Sequence, residues 1–409
     1  LFVIVFLSLL RKEKKGIKMK RYQYLIIGGG MAADAAVRGI RALDEDGTIG
    51  VISAEVDPPY IRPKLSKGLW KGDPVEEIWK DTQKLDVDLI LGQTATKIDT
   101  LNNFVRDDDG GEYVYDKLLI TTGGSPKHLP FGEDYILYYR SFQDYQKLRE
   151  ESDQGDKFLV IGGSFIGSEL AAALSMVGKK VTMIFPESAI AANNFPQGLA
   201  NYISDYYQNK GVEILAGEEV KTIQKNGEQL FITTKNGKQF DVDGIVAGIG
   251  IRPNVDLAKQ AGIKVDNGIV VNEYLQTSSP DIYAAGDVAN FYHSALEKHI
   301  RVEHEDNALN MGEIAGKNMA GETLSYTHVP MFYSDLFDLG YEAVGQLDSE
   351  LDIVEDWQDG YEKGVVYYLS DGRVRGVLLW NVWDQVGSAR DLMKEEGPFE
   401  ENNLKGRIS

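Results

Sequence analysis

The chain has 409 residues, 43% of them hydrophobic, which is enough for two or three domains with packed cores and unlike the composition of a disordered chain. A formal net charge of −20 sets an average field that repels nucleic acid and anionic membrane, so neither is an expected partner. There is no cysteine, which excludes disulfides, thiolate metal sites, iron–sulfur ligation and any catalytic thiol, and is compatible with a reducing cytoplasm, the expected location.

Residues 1–10 are apolar and a basic run follows them. Ten apolar residues fall short of a bilayer, and a secretory signal carries its positive charge first. Residues 1–18 are therefore expected to be an over-extended start or a disordered tail, with a membrane-surface anchor as the alternative.

The stretch that organises the rest comes next. A buried strand over 22–27 runs into Gly28-x-Gly30-x-x-Ala33, with Met31 and Ala32 inside the motif, and an Ala-rich helix follows to about residue 43. Gly28 permits the tight turn, Gly30 lets backbone approach a pyrophosphate, and Ala33 lets the helix pack close to the strand. Free N–H groups at the helix start would face the phosphates. A second strand over 49–52 ends near Glu55, the acidic residue such a unit places on a ribose. The other reading is a plain strand-to-helix turn.

A proline-broken loop, 58–67, opens into a short helix over 65–70; its cations Arg62 and Lys67 read either as ordinary surface residues or, after a dinucleotide-binding unit, as groups that reach a phosphate or a flavin ring. Short hairpin strands fill 87–115. A buried strand then ends at Thr122, Gly123 and Gly124, on the same edge as the Gly28 turn, where open α/β sheets bind ligands.

After a polar helix over 142–152, the opening unit repeats. Strand 158–161 leads to Gly162-Gly163-Ser164-Phe165-Ile166-Gly167 and a helix over 168–177. The next strand, 180–185, ends at Glu187, whose carboxylate would accept both ribose hydrogen bonds and repel a 2′-phosphate, favouring NADH over NADPH. Ser164 stands where the second glycine is expected and adds a Cβ facing the pyrophosphate. The strand before Gly286-Asp287 reads as a return to the first domain. His304 precedes a helix over 306–319 and reads either as a packed histidine or as a flavin-site group; the other histidines show no ligand spacing, so no metal is assigned. The tail, from 330 on, reads as a small α+β domain with a helix over 385–393.

These residues resemble the flavoprotein pyridine-nucleotide oxidoreductases, and within them apoptosis-inducing factor and the ferredoxin and rubredoxin reductases. The resemblance runs from residue 20 to about 393. It is carried by Pro59-Tyr-Ile-Arg-Pro-Lys-Leu-Ser-Lys67, Gly167-Ser-Glu-Leu170, Phe185-Pro186-Glu187, Ala285-Gly286-Asp287, Arg301-Val-Glu-His304, Met331-Phe-Tyr-Ser-Asp335 and Leu379-Trp380-Asn381. It implies an α/β fold with two Rossmann-like domains and a small C-terminal α+β domain. The FAD domain would be discontinuous (19–127 and 253–325), with an NAD(H) domain inserted (128–252) and a C-terminal interface domain (326–409), the last suited to a homodimer.

The resemblance also implies FAD along 28–33, with contacts from Arg62, Lys67, Thr122, Gly123, Arg140, Asp287, Glu303 and His304. It implies NADH along Gly162, Ser164, Phe165, Ile166 and Gly167, with Glu187 on the ribose and Gly250 near the nicotinamide half. Lys67 and Glu169 match a pair at the flavin ring, and with His304 they form the expected catalytic set. The family's FAD ribose acid usually stands one residue earlier than Glu55, at Ala54. Tyr333 stands where apoptosis-inducing factor has a tryptophan, and that protein's long C-terminal insertion is missing, so cell-death signalling is not carried over. The implied function is hydride transfer from NADH to flavin N5 and then, without a protein thiol, to an external acceptor: a ferredoxin- or rubredoxin-type protein, a quinone or oxygen. The alternative is a redox-sensing flavoprotein that holds NAD in a long-lived charge-transfer complex.

Overall fold

The computed structural model describes residues 19–227 and 229–408, so the expectation for 1–18 lies outside the described residues. Two main sheets are built on parallel strands whose apolar ends are buried, as expected where both faces of a sheet are covered. In the first, Met19–Ile27 lies between Ile49–Ser53 and Glu112–Ile120, parallel to both, and Leu25, Ile26, Val51, Leu118 and Ile120 are fully buried.

Strand Glu112–Ile120 changes neighbour along its length. Its start pairs antiparallel with Phe104–Asp107, and its end pairs parallel with Ile282–Ala284, so the chain does return to the first sheet after residue 280.

The second parallel sheet has Lys157–Ile161 at its centre, flanked by Lys180–Phe185 and Gly244–Ala247, with Glu213–Ala216 and Leu137–Tyr138 at the edges. A separate antiparallel trio spans Val220–Asn226 to Gln239–Val242. Gly124–Pro126 pairs with Ile251–Pro253, so the two crossings between the sheets are hydrogen-bonded to each other. The tail forms a five-stranded antiparallel sheet from Met331–Leu336 to Arg373–Trp380, with helix Val386–Lys394 packed on it.

One expected element differs. Residues 65–70 are not one helix but two 3-10 turns, Arg62–Leu65 and Gly68–Trp70, broken at Ser66 and Lys67. Lys67 has φ −126 and ψ −95, outside the helical region, so the chain leaves the helix where these two side chains turn toward Glu169.

Helix Met31–Arg41 is covered by Glu305–Met319, whose start lies in the same cleft as the Gly28 turn. Their backbones approach through glycines: a Cβ at Gly39 would meet the Glu313 carbonyl, one at Gly312 the backbone of Ala32, and one at Gly316 the backbone of Ala36. A methyl group cannot enter any of these contacts unless the helices part. Gly312→Ala should therefore destabilise the protein by about 1–3 kcal/mol in urea unfolding followed by circular dichroism; an unchanged midpoint would mean that the helices separate at no cost.

Candidate functional site

The two glycine turns are built alike. Gly28 has φ +108, and a Cβ there would fall on the Thr121 carbonyl; Gly162 has φ +116, and a Cβ there would fall on the Gly248 carbonyl. Each glycine N–H donates to the neighbouring strand, Gly28 to Ile52 O at 2.8 Å and Gly162 to Ile184 O at 3.0 Å. Only glycine combines that φ with that approach.

The residue before each helix also matches. Gly30 has φ −88 and ψ −166, and Ser164 has φ −98 and ψ −161; neither helix start is capped by a side chain. A Cβ at Gly30 would meet nothing within 4 Å, so the space above the first turn is open and the helix N–H groups beneath it remain available. At the second turn, Ser164 already projects its Cβ.

Both turns open on one cleft of ≈ 960 Å³, ample for a large, largely enclosed cofactor. Gly28, Gly30, Met31, Ala32, Glu55, Arg62, Lys67, Thr122, Gly123, Arg140, Asp287, Glu303, His304, Ser164, Phe165, Ile166, Glu169, Gly250 and Tyr333 all line it. Ala33, Gly162, Gly167 and Glu187 do not. Ala33 is fully buried, and Gly167 packs on Gly162, where a Cβ would meet the Gly162 carbonyl. Glu187 lies just beyond strand Lys180–Phe185, with Asn193 Nδ2 3.3 Å from its Oε1.

Glu169 is a buried charge on the cleft wall with partners on both of its oxygens. It is 3% exposed. Its Oε1 meets Lys67 Nζ at 2.8 Å and accepts from Ser334 Oγ at 2.6 Å, and its Oε2 accepts from Ser66 Oγ at 2.5 Å. The Lys67 ammonium lies 5.2 Å from the centre of the Tyr333 ring, near enough for a cation–π contact. Burial, then the neighbouring carboxylates Glu305 and Asp335, push the Tyr333 hydroxyl well above the usual phenol range.

Also lining the cleft, Arg62 donates to Glu55 Oε1, the Tyr60 hydroxyl and the Arg140 carbonyl, each at 2.7 Å, while Tyr60 donates to Glu55 Oε2 at 2.6 Å. Glu55 thus reaches the cleft wall, but Arg62 and Tyr60 already engage both of its oxygens. Arg140 sits just before the capping box of helix Phe142–Gln154, its N–H on Asp144, and reaches Asp287 at 2.8 Å.

His304 proves to be both packed and at the cleft. It precedes helix Glu305–Met319, and its ring stacks on Phe332 at 4.2 Å between centres. Burial lowers its pKa to about 4, so it is neutral at pH 7 and has no imidazolium proton to donate. Ser66, Ser334 and Phe332 lie within stretches that the sequence analysis quoted but received no role there. The signal for them was adjacency: each neighbours a quoted site residue, but no pattern says which side chain turns inward. Among the described residues, no cluster of His, Asp or Glu could hold a metal ion.

The paired turns, the common cleft and the buried lysine–glutamate pair define the class of an oxidoreductase with two nucleotide folds. The pyridine nucleotide-disulphide oxidoreductase profile matches residues 22–312, and the C-terminal profile of mitochondrion-associated apoptosis-inducing factor matches 315–359 and 354–395. Apoptosis-inducing factor 1, mitochondrial, from Dictyostelium discoideum is 35% identical over 96% of this chain and 82% of its own length. The ferredoxin–NAD(+) reductase component of the anthranilate 1,2-dioxygenase system from Burkholderia cepacia is 31% identical over 90% and 93%. Among solved structures, the covalent putidaredoxin reductase–putidaredoxin complex superposes with a TM-score of 0.87 at 28% identity, covering 93% of this chain and 95% of that one. The chain belongs to the pyridine nucleotide-disulphide oxidoreductase family and is an FAD-dependent NAD(P)H oxidoreductase.

A second histidine extends the pH argument. His293 is 2% exposed and its Nδ1 accepts from the Leu296 N–H; burial lowers its pKa from 6.5 to about 4. Between those values the unfolded chain binds more protons than the folded one, so this part of the stability is complete above pH 6.5 and fades as the pH falls toward 4. The loss should reach about 3 kcal/mol from His293 and less from His304, which the cleft leaves partly open to water. Urea midpoints measured from pH 7 to 4 should fall less for His293→Gln than for the wild type; parallel curves would refute the assignment.

Proposed function

We propose that the first turn and its cleft, in a domain made of 19–127 and 253–325, hold FAD, and that the second, in 128–252, receives NADH, with electrons then passing directly to an external acceptor. The supporting observation is geometric: two cradles of the same build face one cleft, which the Lys67–Glu169 pair also lines. The open space above Gly30 and the uncapped helix start fit a pyrophosphate. Bound there, the flavin supplies the hydride-accepting and electron-donating chemistry.

The chain's own residues bind and aim. Arg62 and Arg140, each held in place by a carboxylate, would present fixed hydrogen-bond donors to the cofactor. Lys67 would hold the N5 edge of the ring. The start of helix Glu305–Met319 brings partial positive charge to the cleft, where it would favour the negative charge that reduction leaves on the N1 side. Glu187, at the carboxyl edge of the second sheet, supports a preference for NADH over NADPH. With no cysteine, the chain has no thiol of its own through which electrons could pass.

A ferredoxin- or rubredoxin-type acceptor is supported by the relatives' names and opposed by the net charge of −20, so a quinone or oxygen stays in view. Residues 326–409 are offered as the face of a homodimer, and the cytoplasm as the location. Among the described residues, no helix is long and apolar enough to cross a membrane. The second reading is a redox-sensing NADH-binding flavoprotein with slow release, favoured by the match to the apoptosis-inducing factor C-terminal profile.

In anaerobic stopped-flow, the flavin-loaded protein should bleach rapidly with NADH and poorly with NADPH, then reoxidise with the right carrier. No bleaching would sink the first reading, and turnover well above about one per second with a physiological carrier would sink the second. Ser164→Gly should tighten NADH by about two- to tenfold, because it removes the Cβ above the second turn; unchanged titrations would mean that the backbone already accommodates the serine.

A further inference from the structure

We propose that Ser334 is a positioning residue: it fixes the Glu169 carboxylate and thereby aims the Lys67 ammonium into the cleft. The inference rests on the flavin reading above but concerns contacts within the chain. Lys67 is a flexible four-carbon stem ending in a compact charge with three rotatable donors, so it has little direction of its own. Its direction comes from Glu169.

A carboxylate as buried as Glu169 needs donors on both oxygens. Ser334 shares Oε1 with Lys67, and Ser66 takes Oε2. With both oxygens held, the carboxylate plane cannot rotate, and the ammonium is confined to one side of Oε1.

The two serines are not equivalent anchors. Ser66 lies at the break between the two 3-10 turns, on the same loop as Lys67, and moves with it. Ser334 lies in strand Met331–Leu336, opposite Tyr341, which is 1% exposed and packed against the buried Trp380. The reference point for Lys67 is therefore the C-terminal sheet. The same strand supplies Tyr333, which lies over the ammonium, and Phe332, which lies under His304. One strand thus sets three contacts in the cleft, and Ser334 is the member that acts through a charge.

The test uses the flavin-loaded full chain, with Ser334→Ala and Ser334→Thr each made in the wild-type and Lys67→Met backgrounds. Its readouts are flavin content, the limiting rate and NADH dependence of anaerobic bleaching, and the midpoint potential of the bound flavin. Ser334→Ala should keep its flavin and its half-saturating NADH concentration within about twofold, slow the limiting rate by about tenfold and shift the potential. Threonine should restore both, and alanine should add nothing once Lys67 is gone. An unchanged rate and potential, or an equal loss with and without Lys67, would overturn the proposal. So would loss of flavin in both Ser334 variants, which marks a packing role. A wild-type protein that ignores NADH would remove the proposed function alone, because the potentials still report on Ser334.

Discussion

A carboxylate with almost no access to water holds three distant parts of this chain in one place. Glu169 lies on the helix that follows the second glycine turn, Lys67 and Ser66 on the loop that follows the first βαβ unit, and Ser334 on the C-terminal sheet. Burying a charge costs several kcal/mol unless donors compensate it. Each donor comes from a segment that must be correctly packed, so the same contacts that satisfy the charge also fix the relative placement of the cleft walls. Removing one partner would leave the others bearing an uncompensated desolvation cost.

The glycine turns act by a different kind of constraint. At Gly28 and Gly162 the chain combines a positive φ with an approach to a carbonyl that no side chain allows. At the interface of helices Met31–Arg41 and Glu305–Met319, three further glycines let the backbones touch. The second helix then begins at the cleft and carries the His304–Phe332 stack at its entrance. Close backbone packing on one side of the first turn therefore sets the position of the helix start that faces the cleft.

The family takes its name from disulphides, yet this chain has no cysteine. Its cleft wall carries serines, a lysine–glutamate pair and a neutral histidine instead. None of these groups is a thiol that could carry electrons through a covalent bond to the protein. The carboxylates Glu55, Asp287 and Glu169 are each matched by a cation, so the walls present fixed, compensated charges to whatever occupies the space between them.

The amino-acid sequence by itself determined both strand–turn–helix units, the return of the chain near residue 282 and the exclusion of thiol chemistry, and most of the site residues it named do line the cleft. The strand–turn–helix units follow from apolar periodicity and turn chemistry, which act over a few neighbouring residues, and the thiol exclusion from composition; most of the site residues came from the family resemblance. Only the tertiary structure decided that Glu55 is taken up by Arg62 and Tyr60, that the 65–70 helix breaks at Ser66 and Lys67, that His304 stacks on Phe332, and that Ser66 and Ser334 converge on Glu169. Those serines lie 103 and 165 positions from the carboxylate they serve. Contacts of that span depend on how whole sheets and helices pack, and no local pattern records which of several hydroxyl groups ends up facing inward.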